Sequence, residues 1–228
     1  RIISNSYFVK NEIIKHYGIN ENKIDVVHRG IDTKKFEIKI NKNKYSSHKI
    51  LFIGPNLERK GAIYVVKALP IILRDFPDAT LTIVGSCSFI YKKLINRELK
   101  KNKIKERVNF IEHVPQEELM PLYKEANVFV MPSIMEALGQ VYMEAMMCMT
   151  PVIGADVGGV SEIINNEVGF LVKPKNFNDI AEKVLDVFND PKKAEEMGKK
   201  GRERIKKNFN IDGMVRETLN IYKNFKND

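Results

Sequence analysis

After residue 50 the sequence alternates short apolar runs with longer amphipathic segments, and this alternation constrains the fold more than any other feature. Continuous apolar runs are typical of strands covered on both faces, and the helical segments between them can provide that cover. Right-handed crossovers then give a doubly wound, Rossmann-like parallel sheet, so the predicted fold class is α/β. The predicted strands lie at 50–53, 79–84, 108–111, 128–131, 151–153 and 169–172. The predicted helices lie at 61–76, 89–103, 116–125, 139–149, 159–164, 178–189, 192–208 and 212–225.

The composition narrows the class of protein. The 228 residues are 43% hydrophobic, which is enough for a packed core, but no apolar run approaches the ~20 residues that cross a bilayer. The chain begins without Met and without a secretory apolar segment, so we expect it to be a fragment of a longer protein. Its two cysteines, Cys87 and Cys148, are far apart in sequence, which favours a reducing, cytoplasmic location over a disulfide framework.

The net charge of +9 raises the question of an anionic partner. Lys and Arg are spread over many segments and mixed with Glu, so we interpret them as solvated surface and expect no nucleic-acid partner. A net positive charge also gives a protein a modest attraction to acidic lipids. We therefore keep as an expectation a peripheral membrane contact, at the inner face of the membrane.

A helix is predicted to begin at Gly139, just after the apolar strand at 128–131. The first turn of a helix offers free backbone N–H groups and the positive end of the helix dipole, which together bind phosphate. Glu136 and Glu144 flank this start, and an ionised carboxylate can only accept hydrogen bonds, so beside an anionic ligand it must meet hydroxyl groups. Phosphate together with hydroxyls indicates a nucleotide sugar. The groups predicted to hold its oxygens are Gly139 and the backbone N–H groups of Leu138, Gln140 and Val141.

Glu136 and Glu144 form an E-x7-E pair that is followed by A-M-x-x-x-T-P-V and then D-V-G-G-x-x-E. In order and spacing these motifs resemble the donor-binding half of the family 4 retaining glycosyltransferases, which have the GT-B fold. The resemblance implies transfer of a hexosyl-type group from a nucleoside diphosphate sugar to an acceptor hydroxyl, with the anomeric configuration kept. It also implies that Glu144 binds the ribose hydroxyls and that Glu136 binds hydroxyls of the transferred sugar. No metal ion is expected, and no cofactor beyond the donor substrate.

The loop at 54–61 leads from the first strand of the predicted sheet into its helix and carries Arg59 and Lys60. Cations beside a helix start are unfavourable unless an anion is bound there. By resemblance both residues would contact the donor diphosphate, and Lys60 and Glu136 would be the catalytic residues. The family often has an arginine where this chain has Pro55, so Arg59 is expected to take over that contact.

The resemblance also divides the chain. Residues 1–32 are predicted to be a remnant of an acceptor domain with an interdomain turn, 33–49 a linker, and 50–228 the nucleotide-sugar-binding domain with its C-terminal helices. The acceptor, a sugar or a lipid-linked sugar, would bind to the missing N-terminal domain, so the isolated chain is expected to be nearly inactive. At the interdomain turn, His28 and Arg29 replace the Pro-Asn that is usual in the family.

We make structural predictions for three further positions. By resemblance, the bend at 112–115 lies near the nucleotide base. Glu162 is expected to brace the fold rather than to bind ligand. Pro70 lacks an N–H group and should kink or break the first long helix of the sheet domain.

Two other functions fit parts of the sequence. A sugar-nucleotide epimerase of the same fold would interconvert the donor without an acceptor, and product analysis by NMR would show this. A non-catalytic basic module would bind nucleic acid through a contiguous cationic face, but the sequence has no Trp to stack on bases. Metal-dependent chemistry finds no support, since there is no D-x-D pair and the four His residues lack ligand spacing.

Overall fold

The computed structural model describes residues 1–36 and 44–225, without the side chains of Gln116 and Phe225. Part of the predicted linker, residues 37–43, lies outside the described residues, as do the last three residues of the predicted 50–228 domain. The predicted division of the chain stays a prediction.

The described residues form eight strands and ten helices. The strands are β1 (Ile2–Ser4), β2 (Ile24–Val26), β3 (Lys49–Ile53), β4 (Thr80–Val84), β5 (Val108–Ile111), β6 (Val128–Met131), β7 (Val152–Ala155) and β8 (Gly169–Val172). The helices are α1 (Tyr7–Tyr17), α2 (Leu57–Lys60), α3 (Ala62–Asp75), α4 (Phe89–Lys101), α5 (Gln116–Glu125), α6 (Gln140–Met147), α7 (Val160–Ile163), α8 (Phe177–Asn189), α9 (Pro191–Asn208) and α10 (Ile211–Phe225).

The strand order confirms the doubly wound α/β fold. β1 and β2 form a separate parallel pair, and the other six strands form one parallel sheet in the order β5-β4-β3-β6-β7-β8. The chain thus moves outward from β3 to β5, returns to the centre, and moves the other way from β6 to β8. In open α/β sheets, ligands bind beyond the carboxyl ends of the strands at such a reversal. The loops after β3 and β6 are therefore the ones that can build a site.

The central strands are held in place by complete burial. All four residues of β6 are 0% exposed, and β6 pairs with β3 in a register that sets Ile50 against Val128 and Leu51 against Phe129. Each aliphatic or aromatic side chain buried in this way contributes about 1.5–3 kcal/mol relative to an exposed one. The positions at which the two site-building loops begin are therefore fixed by the core.

Pro70 does not break its helix. α3 runs without interruption from Ala62 to Asp75 with Pro70 inside it. Of the two outcomes expected at Pro70, the break is therefore wrong, and the kink stays a prediction. A proline inside a helix costs about 3 kcal/mol through one lost backbone hydrogen bond and a clash with the preceding turn. Four branched aliphatic side chains of α3 are completely buried, and their burial outweighs this cost: Val65, Val66, Leu69 and Ile72.

A buried lysine fastens the segment before β3 to the end of α6. Lys44 is 2% exposed, and its Nζ donates hydrogen bonds to the carbonyls of Tyr123 (3.2 Å) and Cys148 (2.8 Å) and to Thr150 Oγ1 (2.7 Å). The three acceptors match the three donors of an ammonium group. Burial nevertheless disfavours the charge and lowers the pKa of Lys44 to about 7.

This lysine makes stability depend on pH. Between pH 7 and the ordinary lysine pKa of 10.5 the unfolded chain binds a proton that the folded chain has released, so stability rises with pH. We expect the free energy of unfolding to rise by about 1 kcal/mol per pH unit between pH 7.5 and 8.5. Urea denaturation of Lys44→Met should show a shallower rise, whereas Lys206→Met, exposed on α9, should keep the slope. Equal slopes in all three proteins would contradict the assignment.

Candidate functional site

The loops after β3 and β6 bring Lys60 and Glu136 into contact at the carboxyl edge of the sheet. Lys60 ends α2, and Glu136 lies between β6 and α6. Lys60 Nζ donates a hydrogen bond to Glu136 Oε2, and the two side chains form a salt bridge. Lys60 is 7% exposed and Glu136 is 8% exposed. Because both charges are nearly removed from water, separating them requires a new partner for each.

Gly61 allows the two loops to approach each other. It follows α2 with a left-handed φ of 77°, and a Cβ at this position would overlap the carbonyl oxygen of Pro132. The neighbouring backbone adds a direct tie, since Ile134 N–H donates to the Arg59 carbonyl at 2.8 Å. A residue with a side chain at position 61 would therefore push the β6 loop, and Glu136 with it, away from Lys60.

A cavity of about 240 Å³ adjoins this ion pair and the start of α6. Gly139 precedes α6 with a φ of 97° and, in the described part of the chain, gives α6 no side-chain cap. Tyr142 N–H donates to the Gly139 carbonyl at 3.1 Å, so the first-turn N–H groups left for a ligand are those of Gln140 and Val141. Lys60, Glu136 and the predicted group Leu138, Gly139, Gln140 and Val141 all line this cavity.

Glu144 lies one turn further along α6 and lines a second cavity of about 640 Å³. Tyr123 Oη donates to Glu144 Oε2 at 2.9 Å, and Gln140 Nε2 donates to Glu144 Oε1 at 3.2 Å. Gln140 and Arg29 line both cavities, so the two spaces adjoin each other. One extended ligand can therefore contact Glu136 and Glu144 at the same time.

The carboxyl group of Glu144 is held in an environment that disfavours its charge. Burial raises the pKa of Glu144, while the hydrogen bonds from Tyr123 and Gln140 and the nearby Arg29 guanidinium oppose the rise. Binding sites commonly contain a partly buried carboxylate with a raised pKa at the edge of a cavity.

Of the eight residues predicted for the site, the structure brings seven to the two cavities and leaves Arg59 apart. Arg59 is exposed, and it is not among the described residues that line either cavity. It sits one position before Lys60 on the short helix α2, so its side chain leaves the helix in a different direction. Its contact with a diphosphate stays a prediction.

Arg29 and Tyr123 are among the cavity residues that were not predicted. Arg29 was noted only as a departure from the family pattern, yet it lines both cavities. Tyr123 is 1% exposed and orients Glu144 through its hydroxyl group. A tyrosine in an amphipathic helix indicates only core packing, so the sequence carried no signal for this hydrogen bond.

Glu162 braces the N-terminal segment against the sheet. Its carboxylate accepts hydrogen bonds from the backbone N–H groups of Tyr7 and Phe8, both at 2.9 Å, and lies 2.7 Å from His28 Nε2. It thereby caps α1, whose N-cap residue Ser6 also accepts from Val9 N–H. This geometry agrees with the expected structural role of Glu162.

The bend at 112–115 precedes α5, and α5 contributes Glu117, Leu119 and Met120 to the larger cavity. Glu112 itself is exposed and pairs with Lys92. Among the residues that the structure describes, no group of three His, Cys, Asp or Glu side chains could hold a metal ion. No helix in the same residues is long and apolar enough to cross a membrane.

The fold and the two cavities define a class of protein, and comparison with known sequences agrees with it. The sheet is that of the C-terminal half of a GT-B glycosyltransferase. Residues 32–204 match the family described as glycosyl transferases group 1, and residues 1–35 match glycosyltransferase family 4. The chain belongs to the glycosyl transferases group 1 family, and the resemblance to family 4 is confirmed.

Individual relatives support the same assignment. An uncharacterized glycosyltransferase of Methanocaldococcus jannaschii is 31% identical over 235 residues, which cover 98% of this chain and 60% of that protein. Sucrose-phosphate synthase from Thermosynechococcus elongatus superposes with a TM-score of 0.85 at 26% identity, over 98% of this chain and 57% of that one. Anabaena HepE in complex with UDP-glucose gives a TM-score of 0.86 at 20% identity, over 97% of this chain and 63% of that one. The chain thus spans about half to two thirds of the length of the curated relatives it matches.

Proposed function

We propose that the chain binds the nucleoside diphosphate sugar of a glycosyltransferase and holds its diphosphate where the sugar is released. One observation carries this proposal: a buried ammonium, a buried carboxylate and the uncapped start of α6 line a single cavity. A second carboxylate, Glu144, lines the cavity that adjoins it. The arrangement offers positive groups for a diphosphate and acceptors for hydroxyls on either side of it.

The donor would replace the Lys60–Glu136 contact with a partner for each charge. The diphosphate would accept hydrogen bonds from Lys60 Nζ and from the first-turn N–H groups of α6, while Glu136 would accept from a hydroxyl of the sugar. As the bond from the anomeric carbon to the diphosphate oxygen breaks, its electron pair passes to the diphosphate. A bond forms between the anomeric carbon and the acceptor oxygen, and the proton of the acceptor hydroxyl passes to the departing diphosphate. One preorganised group facing the developing charge is typically worth about 10²–10³ in rate.

The nucleoside would occupy the larger cavity. Glu144, fixed by Tyr123 and Gln140, would accept hydrogen bonds from the ribose hydroxyls. HepE, whose structure contains UDP-glucose, shares this fold, which makes UDP-sugars the first donors to test. The second cavity has about 640 Å³ for the ribose and base.

The proposal extends to the type of transfer, the acceptor and the location of the protein. We propose a hexosyl transfer that retains the anomeric configuration, to an acceptor sugar or lipid-linked sugar, by a cytoplasmic protein in peripheral contact with a membrane. We also propose that no metal ion or cofactor is needed, because Lys60 and the α6 start already supply positive charge at the diphosphate. In a protein that pairs this chain with an acceptor domain, transfer that is unchanged in EDTA is the expected result, and a requirement for added Mg²⁺ or Mn²⁺ would contradict it.

A thermal-shift screen of UDP, GDP and ADP and their sugars tests donor binding. A ligand present at 100 times its Kd should add about 2.7 kcal/mol to the free energy of unfolding. The corresponding nucleoside monophosphate is the matched control and should stabilise the chain less, since it lacks the second phosphate. If no nucleoside diphosphate shifts the melting temperature, the proposal fails. Product analysis by NMR then separates transfer from epimerisation of the donor.

Gly139→Ala should weaken both the fold and the site. Its φ of 97° suits glycine, and a Cβ would lie 2.5 Å from Tyr142 Cδ2. We expect a loss of about 1–3 kcal/mol in unfolding free energy and at least tenfold weaker nucleoside diphosphate binding by calorimetry. Gly18→Ala is the control, because Gly18 also has a positive φ (62°) but a Cβ at that position would meet no atom within 4 Å. Gly18→Ala should cost about 1 kcal/mol and leave binding unchanged; equal binding by both variants would contradict the role of Gly139.

A further inference from the structure

Helix α4 presents an outer face that the donor site does not use. The helix follows β4 at the carboxyl edge of the sheet and buries Ile95 and Leu99 on its inner face. Its first turn is tied to the site region, because Ser88 N–H donates to Glu58 Oε1 at 3.2 Å, two residues before Lys60. The outer face of α4 therefore begins beside the donor site.

Three large apolar side chains lie on this outer face. Phe89 is 70% exposed, Ile90 is 80% exposed and Leu94 is 41% exposed, all within the first six residues of α4. Single exposed apolar residues are ordinary, but three together at the start of one helix mark a contact surface.

The segment that contains this helix carries most of the net charge of the protein. Residues 89–107 contain eight Lys or Arg and two Glu, a net charge of +6, so the rest of the chain carries only +3 of the total of +9. The sequence interpretation of an even spread of basic residues does not hold for this segment. The basic and apolar side chains share the outward face at helical spacing. We name these residues the α4 face: Phe89, Ile90, Lys93, Leu94, Arg97, Lys100 and Lys101.

The cations of the α4 face are available to a partner. Lys93 Nζ lies over the Phe89 ring, 4.3 Å from its centroid. Within residues 1–36 and 44–225, none of the four basic side chains of the α4 face forms a salt bridge, whereas the neighbouring Lys92 pairs with Glu112. Four charges without a counterion on one face attract a surface of opposite charge.

We propose that the α4 face docks onto an anionic lipid bilayer. Phe89, Ile90 and Leu94 insert at the level of the headgroups, and the basic side chains meet anionic lipids, as in other amphipathic interfacial helices. An aliphatic pair such as Ile90 and Leu94 fits acyl chains but cannot stack on bases, which favours a membrane over nucleic acid. Docking would hold the start of α4, which adjoins the donor site through Ser88 and Glu58, at the membrane surface. The proposal rests on the peripheral membrane contact of the proposed function and deepens it by naming the surface that makes the contact.

Vesicle sedimentation of the 228-residue chain tests this proposal. Phosphatidylcholine vesicles with about 30% phosphatidylglycerol should bind the chain at least tenfold more tightly than vesicles of phosphatidylcholine alone. At low salt each basic residue near an anionic surface strengthens binding about fivefold. About 0.5 M salt screens this attraction and should therefore weaken the binding. Arg97→Glu/Lys100→Glu and Phe89→Ser/Ile90→Ser should each weaken binding at least tenfold. Lys206→Glu/Lys207→Glu, the same charge change on an exposed part of α9, should stay within twofold of the unmodified chain.

Several results would overturn the proposal. One is that the chain binds both kinds of vesicle equally. Another is that the α9 control loses as much vesicle binding as the α4 variants, and a third is that Phe89→Ser/Ile90→Ser binds vesicles as the unmodified chain does. Binding of poly(U) that is lost in Arg97→Glu/Lys100→Glu, with no binding to vesicles, would assign the face to nucleic acid instead. The melting temperature and its shift with nucleoside diphosphate, measured on every variant, show that the fold and the donor site are unchanged. A failure of donor binding would appear in that shift and not in sedimentation, whereas a failure of membrane docking would appear in sedimentation and not in the shift.

Discussion

Lys60→Met is expected to lower the free energy of unfolding by about 3–5 kcal/mol, because it leaves the buried Glu136 carboxylate without its partner. Urea denaturation at pH 7 measures the loss. Lys49→Met is the matched control, since Lys49 pairs with Glu125 at 2.9 Å but the two side chains are 47% and 65% exposed. An exposed pair of this kind is worth about 0–1 kcal/mol.

A double variant separates the structural from the functional part of this pair. Lys60→Met/Glu136→Met leaves neither charge buried alone, so most of the lost stability should return. Nucleoside diphosphate binding should not return, because the ammonium that would hold the diphosphate is still absent. A Lys60→Met loss below about 1 kcal/mol would contradict the buried pair, and full binding by the double variant would remove Lys60 from the site.

Glu144→Ala is expected to weaken nucleoside diphosphate binding by about 1.5–3 kcal/mol, as for lost hydrogen bonds to a charged group. This is roughly 10- to 150-fold in Kd by calorimetric titration. Glu203→Gln, an exposed change on α9, is the control and should bind as the unmodified chain does. Unchanged affinity in Glu144→Ala would exclude Glu144 from the site.

The charge of Glu144 should lower the stability of the fold while it strengthens nucleotide binding. Burial raises the pKa of Glu144 above its unfolded value, so the stability it contributes is present below that unfolded value and is lost as pH rises through the folded pKa. Glu144→Gln cannot ionise and should therefore be more stable than the unmodified chain at pH 7, while binding the nucleotide less tightly. The stability difference should shrink as pH falls towards about 4, near the unfolded glutamate pKa. Urea denaturation at both pH values checks this, and a Glu144→Gln variant less stable at pH 7 would contradict it.

The sequence predicted the sheet well because its central strands are fully buried. The predicted runs at 108–111, 128–131 and 169–172 have the bounds of β5, β6 and β8, and β6, which is covered on both faces, is apolar throughout. Pro70 misled the prediction because a local rule cannot measure the tertiary packing that keeps α3 intact. Strand order is also absent from the local pattern, yet it determines which loops meet.

The site was predictable where its residues are close in sequence. Glu136, Gly139 and Glu144 lie on one loop and helix, so their spacing alone placed them together. Arg29 and Tyr123 reach the cavities from distant segments, and nothing local marks them. The α4 face was missed for another reason: the total charge was judged over the whole chain, which hides a concentration on one helix.

A crystal structure of the chain with the nucleoside diphosphate selected by the thermal-shift screen tests the central claim most directly. The account predicts that the diphosphate lies within hydrogen-bonding distance of Lys60 Nζ and of the N–H groups at the start of α6, with the ribose hydroxyls on Glu144. It also predicts that Lys60 and Glu136 have separated. A diphosphate bound elsewhere, with the Lys60–Glu136 salt bridge intact, would contradict the account.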